Sequence, residues 1–372
     1  MQTTEERQRN RWLAKIHIDG PLLLGLLALA VVSLIVMYSA GGQDQGLVIR
    51  QAIRMGVSFI IMLIVAQITP QFYRHYALPI YIVGVLLLIA VLLFGEVGKG
   101  AQRWLNIGVT RIQPSEILKL SVPMFLAWYC SRVHIPIRFW HVLLGLTFVL
   151  VPTLLIAKQP DLGTALLVAC SGIFVLFLAG MSWRVVISGG ALAAASLPLF
   201  WFFLLREYQR QRVLTFLNPE TDPLGSGYHI IQSKIAIGSG GVEGKGWLQG
   251  TQSQLEFLPE RHTDFIFSVF AEEFGFYGVI GLLILYGFVI FRGMLISMRA
   301  QSNFNRLLGG SITLTFFIYV LVNIGMVSGL LPVVGVPLPL ISYGGTSMVT
   351  MMAGFGILMA IATHRRLVIS HG

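Results

Sequence analysis

Residues 21–40 read Pro21-Leu-Leu-Leu-Gly-Leu-Leu-Ala-Leu-Ala-Val-Val-Ser-Leu-Ile-Val-Met-Tyr-Ser-Ala40, twenty positions without one charge. At a rise of about 1.5 Å per residue a helix of this run covers roughly 30 Å, the hydrocarbon thickness of a bilayer. It exceeds the apolar part of a cleaved leader and lacks a convincing cleavage motif, so the expectation is a retained first span. Comparable runs follow near 49–69, 77–94, 115–131, 139–157, 162–180, 184–205, 264–291, 307–331 and 343–363. The 372 residues are 55% hydrophobic and only 11% charged, where soluble domains carry about 25% charged residues. With a mean hydropathy of +0.78, an ordinary soluble enzyme is excluded. The runs are continuous rather than alternating at period two, which excludes an outer-membrane barrel. The expected fold is an all-α polytopic membrane protein of about ten transmembrane helices.

Charge sets the orientation. With the N-terminus inside, the inner segments hold thirteen cations (Arg7, Arg9, Arg11, Lys15, Arg74, Arg132, Arg138, Arg184, Arg292, Arg299, Arg306, Arg365 and Arg366) against Glu5, Glu6 and Asp19. Their balance equals the whole formal net charge of +10. The positive-inside rule then gives an even span count with both ends cytoplasmic. The basic balance is a topology signal and implies no nucleic acid. Cys130 and Cys170 fall inside spans and the histidines are scattered, so neither a disulfide nor a metal cage is expected.

The chain divides into a basic cytoplasmic N-terminus (1–20), spans one to seven (21–205), a large extracytoplasmic loop (206–263), spans eight to ten (264–363) and a cytoplasmic C-terminus (364–372). The large loop and the shorter outer loop 95–114 are too long to be mere connectors. Tyr208, Phe216, Tyr228, Ile230, Trp247 and Phe257 give the larger one enough apolar surface to dock and order.

Several polar groups stand where they are costly. Asp264 opens the eighth span beside Arg261 and His262, as a helix cap or a partly desolvated general base. Glu116 and Lys119 share a helical face, as a neutral structural pair or with Lys119 reaching an anionic group. Arg50 and Arg54 are one turn apart at the outer end of the second span, where guanidinium suits phosphate; Arg50 alone also reads as a snorkelling anchor. Arg206, Arg210 and Arg212 form a further outer basic cluster. Residues 236–250 are glycine-rich around Lys245, without the Walker spacing, and read as a tight-turn loop or an anion cradle. Glu272 and Glu273 in the eighth span are what a proton-coupled transporter would use. Three prolines in 332–345 point to a broken, re-entrant segment.

The stretches Lys99-Gly-Ala-Gln-Arg-Trp104, Gln113-Pro-Ser-Glu116-Ile-Leu-Lys119, Gln159-Pro-Asp161-Leu-Gly-Thr164, Lys234-Ile-Ala-Ile-Gly-Ser-Gly-Gly241, Leu258-Pro-Glu-Arg-His-Thr-Asp264-Phe-Ile-Phe267 and Gly335-Val-Pro-Leu-Pro-Leu-Ile-Ser-Tyr-Gly-Gly345 resemble the signatures of the SEDS family (shape, elongation, division and sporulation). The resemblance spans nearly the whole chain and is strongest to the elongation branch. It implies a ten-span peptidoglycan glycosyltransferase that polymerises lipid II on the outer face of the bacterial cytoplasmic (inner) membrane and releases undecaprenyl pyrophosphate. It further implies a class B penicillin-binding protein transpeptidase as partner, with other elongation-complex membrane proteins and membrane lipids around it. Carried over by position, Asp264 becomes the essential acid, and Glu116, Lys119 and Arg50 its polar companions. Arg54, Arg206 and Lys245 join them as candidate substrate ligands. No cofactor motif is present; a divalent cation, Mg²⁺ or Mn²⁺, could accompany the substrate pyrophosphate. A lipid II flippase or proton-coupled transporter and a cell-wall scaffold are the rival readings.

The charge asymmetry carries a direct check. Cysteines placed at Gln8 and Ser370 should resist impermeant thiol reagents in intact cells, and one at Ser226 should react. Labelling of position 8 from outside would invert the orientation.

Overall fold

Asp19 caps the first helix by accepting a hydrogen bond from the Leu22 N–H at 3.0 Å, with Pro21 in its first turn, the arrangement that frees a helix start from unpaired donors. In the computed structural model, which describes residues 16–98, 101–106, 111–199, 201–202, 207–221, 225–254 and 261–364, the helices that follow are α1 (Gly20–Ala40), α2 (Gln45–Gln67), α3 (Pro70–Phe94), α4 (Pro114–Cys130), α5 (Phe139–Lys158), α6 (Leu162–Leu178), α7 (Trp183–Leu199), α8 (Glu207–Leu217), α9 (Ser226–Gly240), α10 (Thr251–Gln254), α11 (Ile266–Met298), α12 (Asn303–Val327) and α13 (Thr346–Thr363). Each of the ten apolar runs overlaps a helix among the described residues, and seven of these helices are long and apolar enough to cross a membrane. The shorter α4, α6 and α7 have 17 residues each.

Boundaries move where charge misleads. α3 starts at Pro70 rather than 77, because Pro70 occupies its first turn and Arg74 stays exposed on the helix. α11 runs to Met298, past 291, because Arg292 is neutralised by Asp19 through two hydrogen bonds of 2.9 and 2.6 Å. The all-α expectation needs one correction. Residues 95–114 hold a small antiparallel sheet, β1 (Glu96–Gly98), β2 (Ala101–Asn106) and β3 (Arg111–Ile112), in the order β1-β2-β3. The predicted large loop contains α8, α9 and α10.

α12 is the central post. It packs on α4, α6, α11 and α13, while α1 lies on α11 and α2 on α13. α7 makes no comparable packing contact with the other elements among the described residues. His17, ahead of α1, stacks on His364, behind α13, at 3.7 Å, so the start of α1 and the end of α13 share one face with Arg74 and the α11–α12 turn. The opposite face gathers the α1–α2 turn, the sheet, the α5–α6 turn and the segments 225–254, 261–265 and 328–345.

α11 is broken at Gly275, which has φ +62. Such a break in an apolar helix strands two carbonyls and two N–H groups. Residues 241–246 supply a partner for every one. Lys245 and Gly246 N–H donate to the Glu272 and Glu273 carbonyls at 3.0 Å, and Phe276 and Tyr277 N–H donate to the Gly241 and Val242 carbonyls at 3.0 and 3.2 Å. Approach this close requires glycine, since a Cβ on Gly244 would lie 2.2 Å from the Glu273 carbonyl oxygen and one on Gly275 2.2 Å from the Gly244 nitrogen.

Gly244→Ala should therefore destabilise the fold by about 3 kcal/mol or more. Gly238→Ala, two turns earlier with nothing within 4 Å of its Cβ, should be neutral or stabilising by about 0.5–1 kcal/mol. Thermal unfolding midpoints in detergent read both.

Candidate active site

Asp264 stands one residue ahead of Phe265, the cap position of α11, whose own side chain makes no capping hydrogen bond. Its backbone carbonyl accepts the Asn323 Nδ2–H at 2.9 Å, and the same amide donates to the Val336 carbonyl at 2.7 Å. One buried side chain of α12 thus fixes both the start of α11 and the tract 332–345. A Cβ on Gly335 would sit 3.6 Å from Asp264 Oδ2, which places the carboxylate directly against that tract.

The tract is irregular, as its prolines predict, and buried irregular backbone is tolerated at membrane depth only when protein groups satisfy it. Four elements do so. Ser33 Oγ donates to the Ile341 carbonyl at 3.1 Å, Gln51 Nε2 to Ser342 at 3.3 Å, Tyr286 Oη to Pro339 at 2.7 Å and Asn323 to Val336. Sequence reasoning passed over Gln51 and Asn323. Both are fully buried amides inside apolar spans, and that costly placement is the signal that marks them.

The polar residues predicted on α2 and α4 separate by partner. Arg50 reaches Asp44, the α2 cap, at 3.4 Å with both side chains more than half exposed. Lys119 Nζ donates to Glu116 Oε1 at 2.7 Å inside the bundle and lies 5.4 Å from the Tyr319 ring centroid. Arg54 has no ion-pair partner among the described residues. Its guanidinium instead lies over the Tyr343 ring, 4.3 Å from Cζ to centroid. Tyr343 N–H donates to the His262 carbonyl at 2.8 Å, and the two rings meet edge to face at 5.9 Å. The geometry therefore runs from Arg54 through Tyr343 to His262, two residues before Asp264.

A groove of about 410 Å³ opens between α2, α4, β3 and the start of α13, lined mainly by apolar atoms of Ile53, Val57, Ile117 and Val349. Its charged lining residues are Arg54 and Glu116. Because Glu116 is neutralised by Lys119, the groove carries the net positive charge of Arg54.

Lys245 lies elsewhere in the network. Its ammonium donates to Glu272 Oε1 at 2.8 Å and to Thr251 Oγ1 at 2.6 Å, and Gln252 N–H meets the same carboxylate at 3.0 Å. Glu273 accepts from Ser39 Oγ of α1. The two acids thereby tie the glycine loop to α11 and α1. Arg210 donates to the Trp201 carbonyl and pairs with Glu207 at 3.8 Å; Arg206 lies outside the described residues. Asp161, which caps α6, also lies 3.7 Å from Arg103, anchoring β2 over the α5–α6 turn.

The cell cycle protein family of FtsW, RodA and SpoVE, the SEDS family, matches residues 11–367. The chain belongs to it. Among its relatives is the peptidoglycan glycosyltransferase MrdB of Escherichia coli K12, 54% identical over 364 residues and 98% of each chain. The probable peptidoglycan glycosyltransferase FtsW of Trichlorobacter lovleyi is 37% identical over 94% of each. A chain of a peptidoglycan synthase complex that coordinates polymerization and crosslinking superposes with a TM-score of 0.81 at 34% identity, covering 92% of this chain and 97% of that one. Rod shape determining protein RodA of Thermus thermophilus gives 0.70 at 29% identity, covering 92% and 96%. In this SEDS member Glu272 is paired with Lys245, and Glu273 accepts a hydrogen bond from Ser39.

Lys119→Ala should leave Glu116 buried without its cation and cost about 3–5 kcal/mol of stability. Glu116→Gln combined with Lys119→Gln should recover most of that loss in the unfolding midpoint.

Proposed function

We propose that this peptidoglycan glycosyltransferase joins lipid II units at the outer surface of the bacterial inner membrane, with Asp264 as general base. Ten helices, α1–α7 and α11–α13, serve as the spans, with both chain ends cytoplasmic. The shared face of His17 and His364 and the cations collected there support this orientation. Lipid II carries a polyprenyl tail, a pyrophosphate at the headgroup boundary and sugars in water. The apolar groove beside α2 and α4 suits the tail, Arg54 the pyrophosphate and Asp264 the sugar.

In the reaction the 4-hydroxyl oxygen of one unit forms a bond to C1 of another, and the bond from C1 to the phosphate oxygen breaks. The configuration inverts, the hydroxyl proton passes to the Asp264 carboxylate, and undecaprenyl pyrophosphate leaves with the bonding electrons. Arg54 stabilises the charge that develops on the leaving group, in a groove too apolar for water to screen it well. A divalent cation accompanying the substrate would be held by its phosphate oxygens. A class B penicillin-binding protein that crosslinks the product strand is the expected partner, in keeping with the structural likeness to a synthase complex that couples the two steps.

The observation that carries this reading is the placement of Asp264. The carboxylate lies at a helix start, beside an irregular buried tract, with its backbone fixed by Asn323 and with Phe265 rather than Asp264 in the cap position. Asp264→Asn keeps shape and hydrogen-bonding capacity but cannot take a proton. It should fold with an unchanged unfolding midpoint and lose at least about a hundred-fold in glycan synthesis from purified lipid II with the partner present. A well-folded Asn variant of near-normal activity would remove Asp264 as the base.

A further inference from the structure

We infer that Tyr343 is a positioning residue of the polymerisation reaction, holding the Arg54 guanidinium at a fixed depth and register to the Asp264 loop. The inference rests on the roles proposed above for Arg54 and Asp264. It starts from an oddity of Arg54, a half-buried cation at the outer end of α2 with no carboxylate within ion-pair distance among the described residues, Glu116 of the same groove being held by Lys119. Its neighbours are an aromatic face at 4.3 Å and the backbone of Gly345, where a Cβ would lie 3.9 Å from Arg54 Cδ. An aromatic face attracts a guanidinium without neutralising it. A carboxylate in the same place would cancel the charge and compete with a phosphate. The ring therefore orients the cation and leaves its N–H groups and full charge available to an anion.

Tyr343 is itself tied to the segment that carries the base. Its N–H donates to the His262 carbonyl at 2.8 Å, and its ring meets the His262 ring edge to face at 5.9 Å. Ser342, the preceding residue, accepts at its carbonyl from Gln51, one turn ahead of Arg54 on α2. Two adjacent residues of the irregular tract thus grip α2 on one side and the Asp264 loop on the other. In-line displacement at C1 places leaving group and attacking hydroxyl on opposite sides of the carbon, so the cation and the base must keep a set separation. Tyr343 touches the cation with its ring and, through its ring and its backbone N–H, His262, two residues before the base.

The test is a set of variants assayed for kcat and KM with purified lipid II in the complex with the partner. Tyr343→Phe keeps the ring and should retain activity within about two-fold. Tyr343→Leu should lower kcat by roughly ten-fold, the scale of a partly desolvated cation–π contact, with little change in KM and an unchanged unfolding midpoint. In an Arg54→Gln background, Tyr343→Leu should have almost no further effect. An equal loss from Tyr343→Leu with and without Arg54, or a loss wholly in the unfolding midpoint, would overturn the inference. If Asp264→Asn is inactive in the same assay while Tyr343→Leu is normal, only the positioning role falls. If Asp264→Asn is active, the underlying reading falls with it.

Discussion

Inside hydrocarbon no water is available to pair a backbone group, so every interruption of a helix must be satisfied by the protein itself. Two irregular places in this chain, the break at Gly275 and the tract 332–345, are closed by partners written elsewhere in the sequence. At Gly275 the loop 241–246 returns four hydrogen bonds to the four groups that the break exposes. Along 332–345, side chains from α1, α2, α11 and α12 take the carbonyls one by one. Each repair costs conformational freedom elsewhere, in glycines that tolerate no Cβ and in amides buried among apolar side chains. What results is an irregular surface beside Asp264, held in place by side-chain hydrogen bonds from four helices.

The same constraint sorts the charges. Buried or half-buried ions survive where they find partners, as in the Glu116–Lys119, Glu272–Lys245 and Asp19–Arg292 pairs. These pairs hold α4, the glycine loop and the α1–α11 contact, and they bring no net charge to the groove. Arg54 departs from the pattern, with a ring in place of a carboxylate. Two residues read alike in sequence, Arg50 and Arg54, thus separate. Arg50 is exposed beside Asp44, and Arg54, one turn deeper, supplies the charge of the groove.

The apolar runs made most of the helical architecture legible, since an uncharged run of about twenty residues has few alternatives in a bilayer. Charge at helix ends was harder to read. Arg74 and Arg292 looked like termini and are carried inside helices, the second because Asp19 waits for it in space. The sheet at 95–114 escaped notice because its strands are two to six residues long, shorter than any periodicity can mark. At the site, Asp264, Arg54 and the broken tract could be nominated from local sequence and family resemblance. The glycine-rich stretch around Lys245 could be read as a tight-turn loop or an anion cradle, because its partner Glu272 lies 27 residues away and only the fold joins them. Tyr343 gave no sign at all, since an aromatic in a proline-rich apolar tract reads as packing until Arg54 is seen on its face.

The central claim is that the leaving pyrophosphate binds at Arg54, in the groove between α2, α4 and α13. A cryo-electron microscopy structure of the protein with its partner, loaded with undecaprenyl pyrophosphate, tests it most directly. The account predicts diphosphate density on the Arg54 guanidinium, the polyprenyl chain along Ile53, Val57, Ile117 and Val349, and the Tyr343 ring still beneath Arg54. Diphosphate bound instead at Lys245 or at Arg210, with the groove holding only ordinary lipid, would contradict it.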